Sequence, residues 1–593
     1  MDSDHLLRHY YQEELRRLRE DGAAFARRNP RVATRLGLHA GDTPDPFVDR
    51  LIESVAWMAA DLRRDFEMRL PELSRQMLGI LYPNLASPLP SMSIVSFRPD
   101  AKVLKDKATG FSLPAGSTLN CVGSHGDTVI RWRTAWETCL HGISVRQAKY
   151  EAHHSLPRLV LTLDGVQGTR LPELRFFLRG DRLHTFALHD WLLESCHGLS
   201  LETGEQGHEH RLDLDAGALC PAGLSPDDLI LPRGQYALPG YQLVQEYFAF
   251  PERFLFWRLA LPLEARELFA GQESVRLCVT MNSPLPEHLK IDASLFDLCA
   301  VPVVNLFTRL AEPITVDLRR SGHRLVCDHR REKSTEAYAI LSVTALEEEG
   351  KSTEITPYFS LSASKDTIHA LYWHMRRAPA QGKGGTDVYL HFKDTRQPLY
   401  AAKPFTAMVR LLCTNRNMAV DIRQPARMSS DDGIPATEMA LALPPTPERQ
   451  PAMFSGELWK LVSHLTLHKI SLTGEHGANA LRETLRLYAP PKDAYSQRQI
   501  AGIRSLSATR AVQPLRQHMG GVVRGTRLDL ELEEEAFHGV SPLIFGEVMN
   551  IFFGLYTELN GFSKLRLHSS SRQGLWREWP ARSGEVEIQA GRS

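Results

Sequence analysis

Eight aromatic residues fall within the 22 positions from Tyr236 to Trp257, whereas the chain as a whole is 8% aromatic. Aromatic side chains at this density must bury a large apolar surface when the chain folds. The segment therefore predicts a junction in the protein core. A cage around a ligand is the alternative interpretation.

The pattern within this segment changes from helix to strand at a proline. Residues 243–248 carry apolar side chains at helical spacing, and Pro251 breaks that helix. Apolar residues then alternate as they do in a strand that is buried on at least one face. We predict that Phe250, Phe254 and Phe256 are buried where a short helix meets a strand. Exposure of all three would instead indicate a docking surface.

Length and charge narrow the class of protein. A chain of 593 residues exceeds a single core and predicts several domains. Lys and Arg together number 70, as do Asp and Glu, so the net charge is zero. A nucleic-acid-binding protein usually carries an excess of basic residues, so the zero net charge disfavours that class. Zero net charge also means weak electrostatic repulsion between copies, which suits a subunit of an assembly. The eight cysteines are scattered without a CxxC pair, which excludes a zinc ribbon.

The N-terminus and the apolar runs predict where the chain resides. The opening Met-Asp-Ser-Asp-His is acidic and polar, unlike a secretory signal. The longest apolar runs, such as Leu298–Phe307, are about half the length that spans a bilayer. We expect a soluble, cytoplasmic chain without direct membrane insertion.

The first 85 residues predict a helical N-terminal segment. One helix ends at Asn29-Pro30, and a second begins at Asp45-Pro46. Pro71 ends or kinks the second helix, and a third segment follows at Glu72–Leu81. The stripe of the first helix is Leu7, Tyr11, Leu15, Leu18, Gly22 and Phe25, and that of the second is Val48, Ile52, Val55, Ala59, Leu62 and Phe66. These stripes pack either on each other or on helices of a partner.

The rest of the chain predicts an α+β, multidomain fold. Residues 86–270 read as a β-rich mixed domain with the aromatic junction, and residues 271–425 as a β-rich middle domain. Residues 426–450 read as a linker, and residues 451–593 as a mixed α/β C-terminal domain. The clearest predicted strands are Met92–Phe97, Gly116–Val122, Thr128–Trp136, Leu159–Leu163 and Leu174–Leu178. The predicted helices are Phe186–Ser195, Gly456–Leu467 and Ile544–Leu559.

No motif in the sequence predicts a catalytic residue, a metal site or a cofactor. The glycine-rich run Gly382–Thr386 lacks the residues of a phosphate loop, and His208-Glu-His210 lacks further ligands at metal-binding spacing. Nucleophile-elbow, HExxH and dinucleotide fingerprints are missing from the sequence. Two alternatives remain: an enzyme, such as a hydrolase, with a dispersed active site, and a β-rich adhesive or ligand-binding module.

Several sequence blocks follow one another along nearly the whole chain. The blocks are His9–Arg16, Arg35–Leu38, Tyr82-Pro83, Pro90–Val95, Gly240–Phe256, Val301–Phe307, Cys413–Arg416, Leu458–Leu465 and Asn560–Phe562. Each block alone is moderately specific, and their ordered combination is highly specific. In this combination the chain resembles the TssF (ImpG/VasA) family of type VI secretion system baseplate subunits.

The resemblance implies a structural, non-enzymatic subunit of the baseplate wedge. It implies partners similar to TssG, TssE and TssK, a second copy of the chain in the wedge, and contact with the central spike and sheath. The wedge would seed the inner tube and the contractile sheath, docked at the inner-membrane complex of a Gram-negative bacterium. The helical N-terminus adds a hypothesis of our own, a helical bundle with the TssG-like partner. The residues of this hypothetical interface are Tyr11, Leu15, Leu18, Phe25, Val48, Ile52, Val55, Leu62 and Phe66.

Overall fold

The structure is a computed structural model of the chain. It describes residues 3–36, 46–105, 107–123, 128–152, 156–203, 210–234, 238–320, 322–346, 352–358, 371–380, 385–394, 404–422, 426–451, 477–490, 493–515, 521–557, 561–583 and 586–587. Three predicted features lie wholly or partly outside these ranges. They are the helix Gly456–Leu467, His208 of the His208-Glu-His210 motif, and residues 382–384 of the glycine-rich run.

Two long helices open the fold and confirm the predicted helical N-terminus. The first ends at Arg28, before the predicted Asn29-Pro30 break. The second runs from Pro46 to Leu81 as one helix of 36 residues, so the prediction of a separate segment after Pro71 was wrong. A proline removes one backbone donor, and strong helix formers on both sides of it keep the helix continuous. The described α-helices are Ser3–Arg28, Pro30–Arg35, Pro46–Leu81, Pro83–Ala86, Ala101–Leu104, Arg182–Ser195, Pro239–Ala249, Leu263–Gly271, Gly477–Arg486, Ala494–Ala501 and Pro542–Gly554.

Antiparallel sheets build the middle of the chain, as the alternating pattern predicts. The five strands named above each lie within two residues of their predicted bounds. One sheet has the strand order Ala436–Leu441, Met92–Pro99, Ala300–Val304, Val129–Thr134, Thr118–Val122. A second has the order His210–Leu214, Cys196–Thr203, Ser274–Met281, Arg158–Asp164, Ser144–Glu151. A third has the order Leu219–Pro221, Phe256–Ala260, Glu173–Leu178, Phe296–Asp297.

Two further sheets follow, built from residues between 307 and 414. The first has the order Phe307–Leu310, Phe405–Thr414, Glu336–Leu346, Ser352–Glu354, with Ile314–Val316 also paired to the second of these strands. The other has the order His323–Leu325, Thr386–Asp394, Leu371–Pro379, Thr356–Pro357. Most of their buried apolar side chains form a cluster separate from the main core, whereas Tyr338 and Leu412 belong to the main core.

The C-terminal region is mixed, with helices against a sheet that contains one parallel pair. Its sheet has the order Ile503–Leu515, Gly521–Leu532, Phe562–Ser569, Arg582–Ser583, Val586–Glu587. The predicted helix Ile544–Leu559 is Pro542–Gly554, capped by Ser541, whose hydroxyl accepts the backbone N–H of Ile544 at 2.9 Å. The α+β, multidomain fold class is therefore confirmed.

Strand pairing in the first sheet joins segments that are far apart in sequence. Met92–Pro99 pairs on one side with Ala300–Val304 and on the other with Ala436–Leu441. The last of these strands lies within residues 426–450, the expected linker. The domain boundaries themselves stay a prediction. Within the described residues, no helix is both long enough and apolar enough to cross a membrane.

Candidate partner interface

The two long N-terminal helices form an antiparallel pair. Arg19 donates a hydrogen bond of 3.0 Å to Asp49, while the ring of Tyr11 meets that of Trp57 edge-on at 5.6 Å. Residue numbers therefore fall along the first helix as those of their contacts rise along the second, which is the sign of an antiparallel pair. We call Ser3–Arg28 and Pro46–Leu81 the N-terminal helix pair.

Small side chains fill the seam of the N-terminal helix pair. Ala56 and Ala60 are completely buried, and Tyr10 joins Ala60 in a small apolar cluster. Alanine lets two helices approach closely but buries little apolar area, at about 0.8 kcal/mol per buried CH₂ group. Large apolar side chains on the opposite face of the second helix are therefore available for other contacts.

Five large apolar side chains form an exposed stripe on the second helix. We call them the outer stripe: Phe47, Leu51, Val55, Met58 and Leu62, between 39% and 79% exposed. Their spacing of three or four residues, at about 100° per residue, confines them to an arc of about 80°. That arc lies on the face of the helix opposite Ala56 and Ala60. An exposed apolar patch of this kind marks an interaction surface.

The predicted interface residues fall on several faces of the helix pair. Tyr11, Leu15 and Leu18 are half-buried on the first helix, and Phe25 is exposed. On the second helix, the half-buried residues are Val48 and Ile52, and the exposed ones are Val55 and Leu62. The side chain of Phe66 lies outside the described residues.

Sequence reasoning missed Phe47, Leu51 and Met58. The prediction centred the stripe one residue later, on Val48 and Ile52. The spacing of four, three and four residues from Leu51 to Leu62 is a heptad signal that could have found them. The role of every predicted residue at a partner interface stays a prediction.

The aromatic segment forms a buried junction, as predicted. All eleven residues of the helix Pro239–Ala249, which we call the aromatic helix, are buried. A short 3₁₀ turn, Pro251–Phe254, leads into the strand Phe256–Ala260. Phe250, Phe254 and Phe256 are each 1–2% exposed, so the prediction of their burial is confirmed.

Rings from distant parts of the chain converge on the aromatic helix. Tyr247 packs against Phe545 of the C-terminal helix at 5.7 Å, and its hydroxyl donates to Gln499 at 2.8 Å. Tyr241 lies edge-on to Tyr82 at 5.3 Å, next to the end of the N-terminal helix pair. The junction thus holds the C-terminal region and the base of the helix pair against one element.

A buried ion pair fixes the bend after the aromatic helix. Glu246 and Arg253 are both fully buried, with Arg253 Nη1 2.5 Å from Glu246 Oε2. The carboxylate also accepts the backbone N–H groups of Ile230 and Leu231 at 3.0–3.1 Å. Burial lowers the pKa of Arg253, and the charges of Glu246 and Asp228 oppose that shift. Such a pair holds one geometry because each charge needs the other.

Two buried asparagines join neighbouring sheets. Asn305 donates to the side-chain oxygen of Asn415 at 2.9 Å, and the backbone N–H of Asn415 donates to Asn305 at 2.7 Å. The backbone N–H of Arg131 donates to the same oxygen of Asn415 at 2.9 Å. Both asparagines lie in blocks that carry the family resemblance. The network explains these blocks as structural ties.

A groove of about 710 Å³ lies between the helix Arg182–Ser195 and the C-terminal region. Burial raises the pKa of Asp190 in its wall. The hydroxyl of Ser541 donates to Asp190 while capping the helix behind it. Glu194 pairs with Arg572 at 3.1 Å. These are packing contacts, and among the described groove residues no serine donates to a histidine.

Metal-ligating side chains do not gather in the described part of the chain. Among those residues, no group of three or more His, Cys, Asp or Glu side chains is placed to hold a metal ion. The features that stand out are a buried hub and an outward apolar stripe. An exposed apolar stripe on a well-packed scaffold is typical of proteins that bind other proteins.

Comparison with known proteins identifies the assembly. A family model described as "Type VI secretion system, TssF" matches residues 3–586. The chain belongs to the TssF family of the type VI secretion system. It is 28% identical over 613 aligned residues to the type VI secretion system component TssF1 of Pseudomonas aeruginosa, covering 97% of this chain and 98% of the relative.

Two solved structures share the fold. One is a chain of the type VI secretion system TssK-TssF-TssG baseplate subcomplex determined by cryo-electron microscopy, with a TM-score of 0.75 and 25% identity. The match covers 92% of this chain and all of that one. The other is a chain of the baseplate complex of the type VI secretion system, with a TM-score of 0.57 and 22% identity over 98% of this chain and all of that one.

Proposed function

We propose that this chain is a non-enzymatic, structural subunit of a type VI secretion baseplate wedge. It assembles with subunits similar to TssG, TssE and TssK and with a second copy of itself. The wedge meets the central spike and sheath, and it seeds the inner tube and contractile sheath. It acts in the cytoplasm, docked at the inner-membrane complex of a Gram-negative bacterium.

The outer stripe is the observation that carries this proposal. Its five apolar side chains point away from the first helix, and the seam behind them is built from alanine. Burial of a Leu, Val, Phe or Met side chain stabilises a complex by about 1.5–3 kcal/mol. Helices of a partner that pack on the stripe would complete a bundle with knobs-into-holes contacts.

The occupant of the stripe is proposed to be the TssG-like subunit. Membership of the TssF family and the solved TssK-TssF-TssG subcomplex of a relative support this choice. The predicted residues Tyr11, Leu15, Leu18 and Phe25 would flank the contact from the first helix. Those residues are half-buried or partly exposed and therefore available at its rim.

Co-purification tests the proposal. The double variant Leu51→Asp/Leu62→Asp places two charges in the stripe and should lose the TssG-like subunit, with affinity falling at least about 100-fold. The matched control is Leu263→Asp, since Leu263 is 68% exposed on another helix and Leu51 is 67% exposed. The control should retain the partner.

Folding of the variants must be measured alongside. Circular dichroism should give the same helix content for the variants and the wild type, because both positions face solvent in the single chain. Retention of the partner by a folded Leu51→Asp/Leu62→Asp variant would overturn this placement of the interface.

A further inference from the structure

A long β-hairpin in the C-terminal region carries an unusual charge distribution. From Ile503 to Leu528 the sequence contains five arginines and one histidine but no Asp or Glu, in a chain whose net charge is zero. The two strands, Ile503–Leu515 and Gly521–Leu532, pair along their whole length. We call residues 510–515 and 521–526 the basic ribbon.

The basic ribbon extends past the rest of its sheet. Pairing of the second strand with Phe562–Ser569 ends at Gly525, which lies opposite Phe562. Among the described residues, positions 521–524 therefore pair with the first strand alone, over about 14 Å at 3.4 Å per residue. The first strand is the edge of the sheet and has no second strand neighbour among the described residues.

The base of this edge is covered, whereas the ribbon carries exposed side chains at Arg510, Val512 and Arg524. Arg482, from the helix Gly477–Arg486, donates to the carbonyl of Ile503 at 3.0 Å. Further out, the face that buries Leu506 and Leu530 at the base continues as exposed side chains. An open strand edge offers unpaired backbone groups to another chain.

Two arginines of the ribbon lack partners within the described chain. Arg504 and Arg527 at the base pair with Glu533 at 2.7 Å and Asp529 at 3.8 Å. Arg510 and Arg524 are exposed, and the described residues supply no ion pair to either of them. Their charges are therefore open to a partner.

One exposed apolar residue lies between these two arginines. Val512 is 65% exposed and pairs directly with Arg524, while Arg510 is two residues away on the same strand face. Arginine beside an apolar anchor is the composition of a protein–protein interface, where Arg is enriched.

We propose that the basic ribbon binds an acidic surface segment of a different subunit of the assembly. Charge complementarity selects an acidic partner, since no carboxylate of the ribbon opposes Arg510 or Arg524. Nucleic acid is disfavoured because the hairpin from Ile503 to Leu528 has no aromatic residue for base stacking. A lipid surface is disfavoured because Val512 is the one described apolar side chain exposed on the ribbon.

A second copy of the chain is disfavoured by the pairing of its nearest acidic residues. Asp529 accepts contacts from Arg566 at 3.4 Å and from His568 at 3.2 Å. Glu533 pairs with Arg504, and Glu534 pairs with Arg572 at 2.9 Å. Asp529, Glu533 and Glu534 beside the hairpin are thus already paired within their own chain.

Zero-length coupling of amines to carboxylates tests the contact in the assembled complex. Arg510→Lys and Arg524→Lys place amines on the ribbon, and a carbodiimide joins an amine to a carboxylate in direct contact. The introduced lysines should couple to Asp or Glu of a different subunit. Arg330→Lys and Arg331→Lys are the matched controls, because Arg330 and Arg331 are exposed and have no ion pair within the described chain.

Coupling only within the chain, only to a second copy, or not at all would overturn the proposal. The proposal rests on the proposed function only in that the chain works inside an assembly. If no complex co-purifies, the proposed function fails. If the complex forms and the ribbon couples to no other subunit, the ribbon proposal alone fails.

Charge reversal provides the second readout. Arg510→Glu/Arg524→Glu should weaken retention of the ribbon's partner about tenfold, more at low salt than at high salt, while the partner on the outer stripe stays bound. Arg330→Glu/Arg331→Glu should change neither. The wild-type chain and the Arg510→Glu/Arg524→Glu variant should also be tested for binding to phosphatidylglycerol vesicles and to a DNA duplex. Binding by the wild type that the variant loses would contradict the choice of a protein partner.

Discussion

Glu246 and Arg253 form an ion pair in which neither side chain reaches solvent. The pair closes the bend between the aromatic helix and the strand that follows it. Arg253 also donates to the carbonyls of Gly223 and Asp228 at 2.8 and 2.6 Å. One guanidinium therefore fixes the loop that precedes the aromatic helix and the turn that follows it.

Removal of one member of this pair should destabilise the fold strongly. Arg253→Met leaves the charge of Glu246 buried without its partner, which costs about 3–5 kcal/mol. Glu246→Gln/Arg253→Met keeps an acceptor for the N–H groups of Ile230 and Leu231 and removes both charges, so its loss should be smaller. Urea unfolding followed by tryptophan fluorescence measures both variants. Equal losses would contradict the role of the uncompensated charge.

A glycine in the C-terminal helix should tolerate no side chain. A Cβ at Gly546 would lie 2.3 Å from the ring of Trp579, which cannot move aside cheaply. Gly546→Ala should therefore lower the free energy of unfolding by about 1–3 kcal/mol. Gly271→Ala is the control, since nothing lies within 4 Å of its Cβ position, and alanine should stabilise that helix by up to about 1 kcal/mol. In thermal unfolding, the melting temperature should fall for Gly546→Ala and rise for Gly271→Ala, each relative to wild type.

Glu448 should make stability depend on pH. Burial and the charge of Glu336 raise its pKa to about 7 from 4.5. Between these values the native chain binds more protons than the unfolded chain, so the free energy of unfolding falls as pH rises. The loss is complete above about pH 7.

The variant Glu448→Gln isolates this effect. Glutamine can still accept the hydrogen bond that Thr414 donates to Glu448 at 2.9 Å, but it does not titrate. The stability of the variant relative to wild type should rise across the window from pH 4.5 to 7. Glu535→Gln, at an exposed glutamate, is the control. Parallel stability curves for wild type and Glu448→Gln would refute the assignment.

Local pattern was enough to predict the helices at the N-terminus and the burial of the aromatic segment. The helix-breaking Pro251 and the alternating apolar residues after it correctly predicted a change from helix to strand. Phe254 and Phe256 lie at that change. Proline was a poorer guide at Pro71, where the helix continues to Leu81. A propensity rule describes one residue, whereas a helix is stabilised cooperatively along its length.

The sequence pattern did not predict which distant segments pair with each other. Asn305 and Asn415 are 110 positions apart, and no local sequence pattern predicts the hydrogen bonds between them. The strand Ala436–Leu441 pairs with Met92–Pro99 across more than half of the chain. Such contacts depend on which sheets the chain assembles, and that choice is made by packing of the whole molecule.

The outer stripe should be protected when the assembly forms. Backbone amides from Phe47 to Leu62 lie in a helix whose outer face carries the exposed side chains of the outer stripe. Packing of a partner on that face should slow local opening and hydrogen exchange. Exchange mass spectrometry of the free chain and of the co-purified complex measures the difference. The helix Leu263–Gly271 should show no change, and protection there without protection of the stripe would move the interface elsewhere.

Native mass spectrometry of the chain co-expressed with its TssG-like subunit tests the central claim most directly. We predict a complex of two copies of the chain with one TssG-like subunit. The Leu51→Asp/Leu62→Asp variant should give only the mass of the single chain. A wild-type sample that stays a single chain, or a variant that keeps the full mass of the complex, would contradict assembly through the outer stripe.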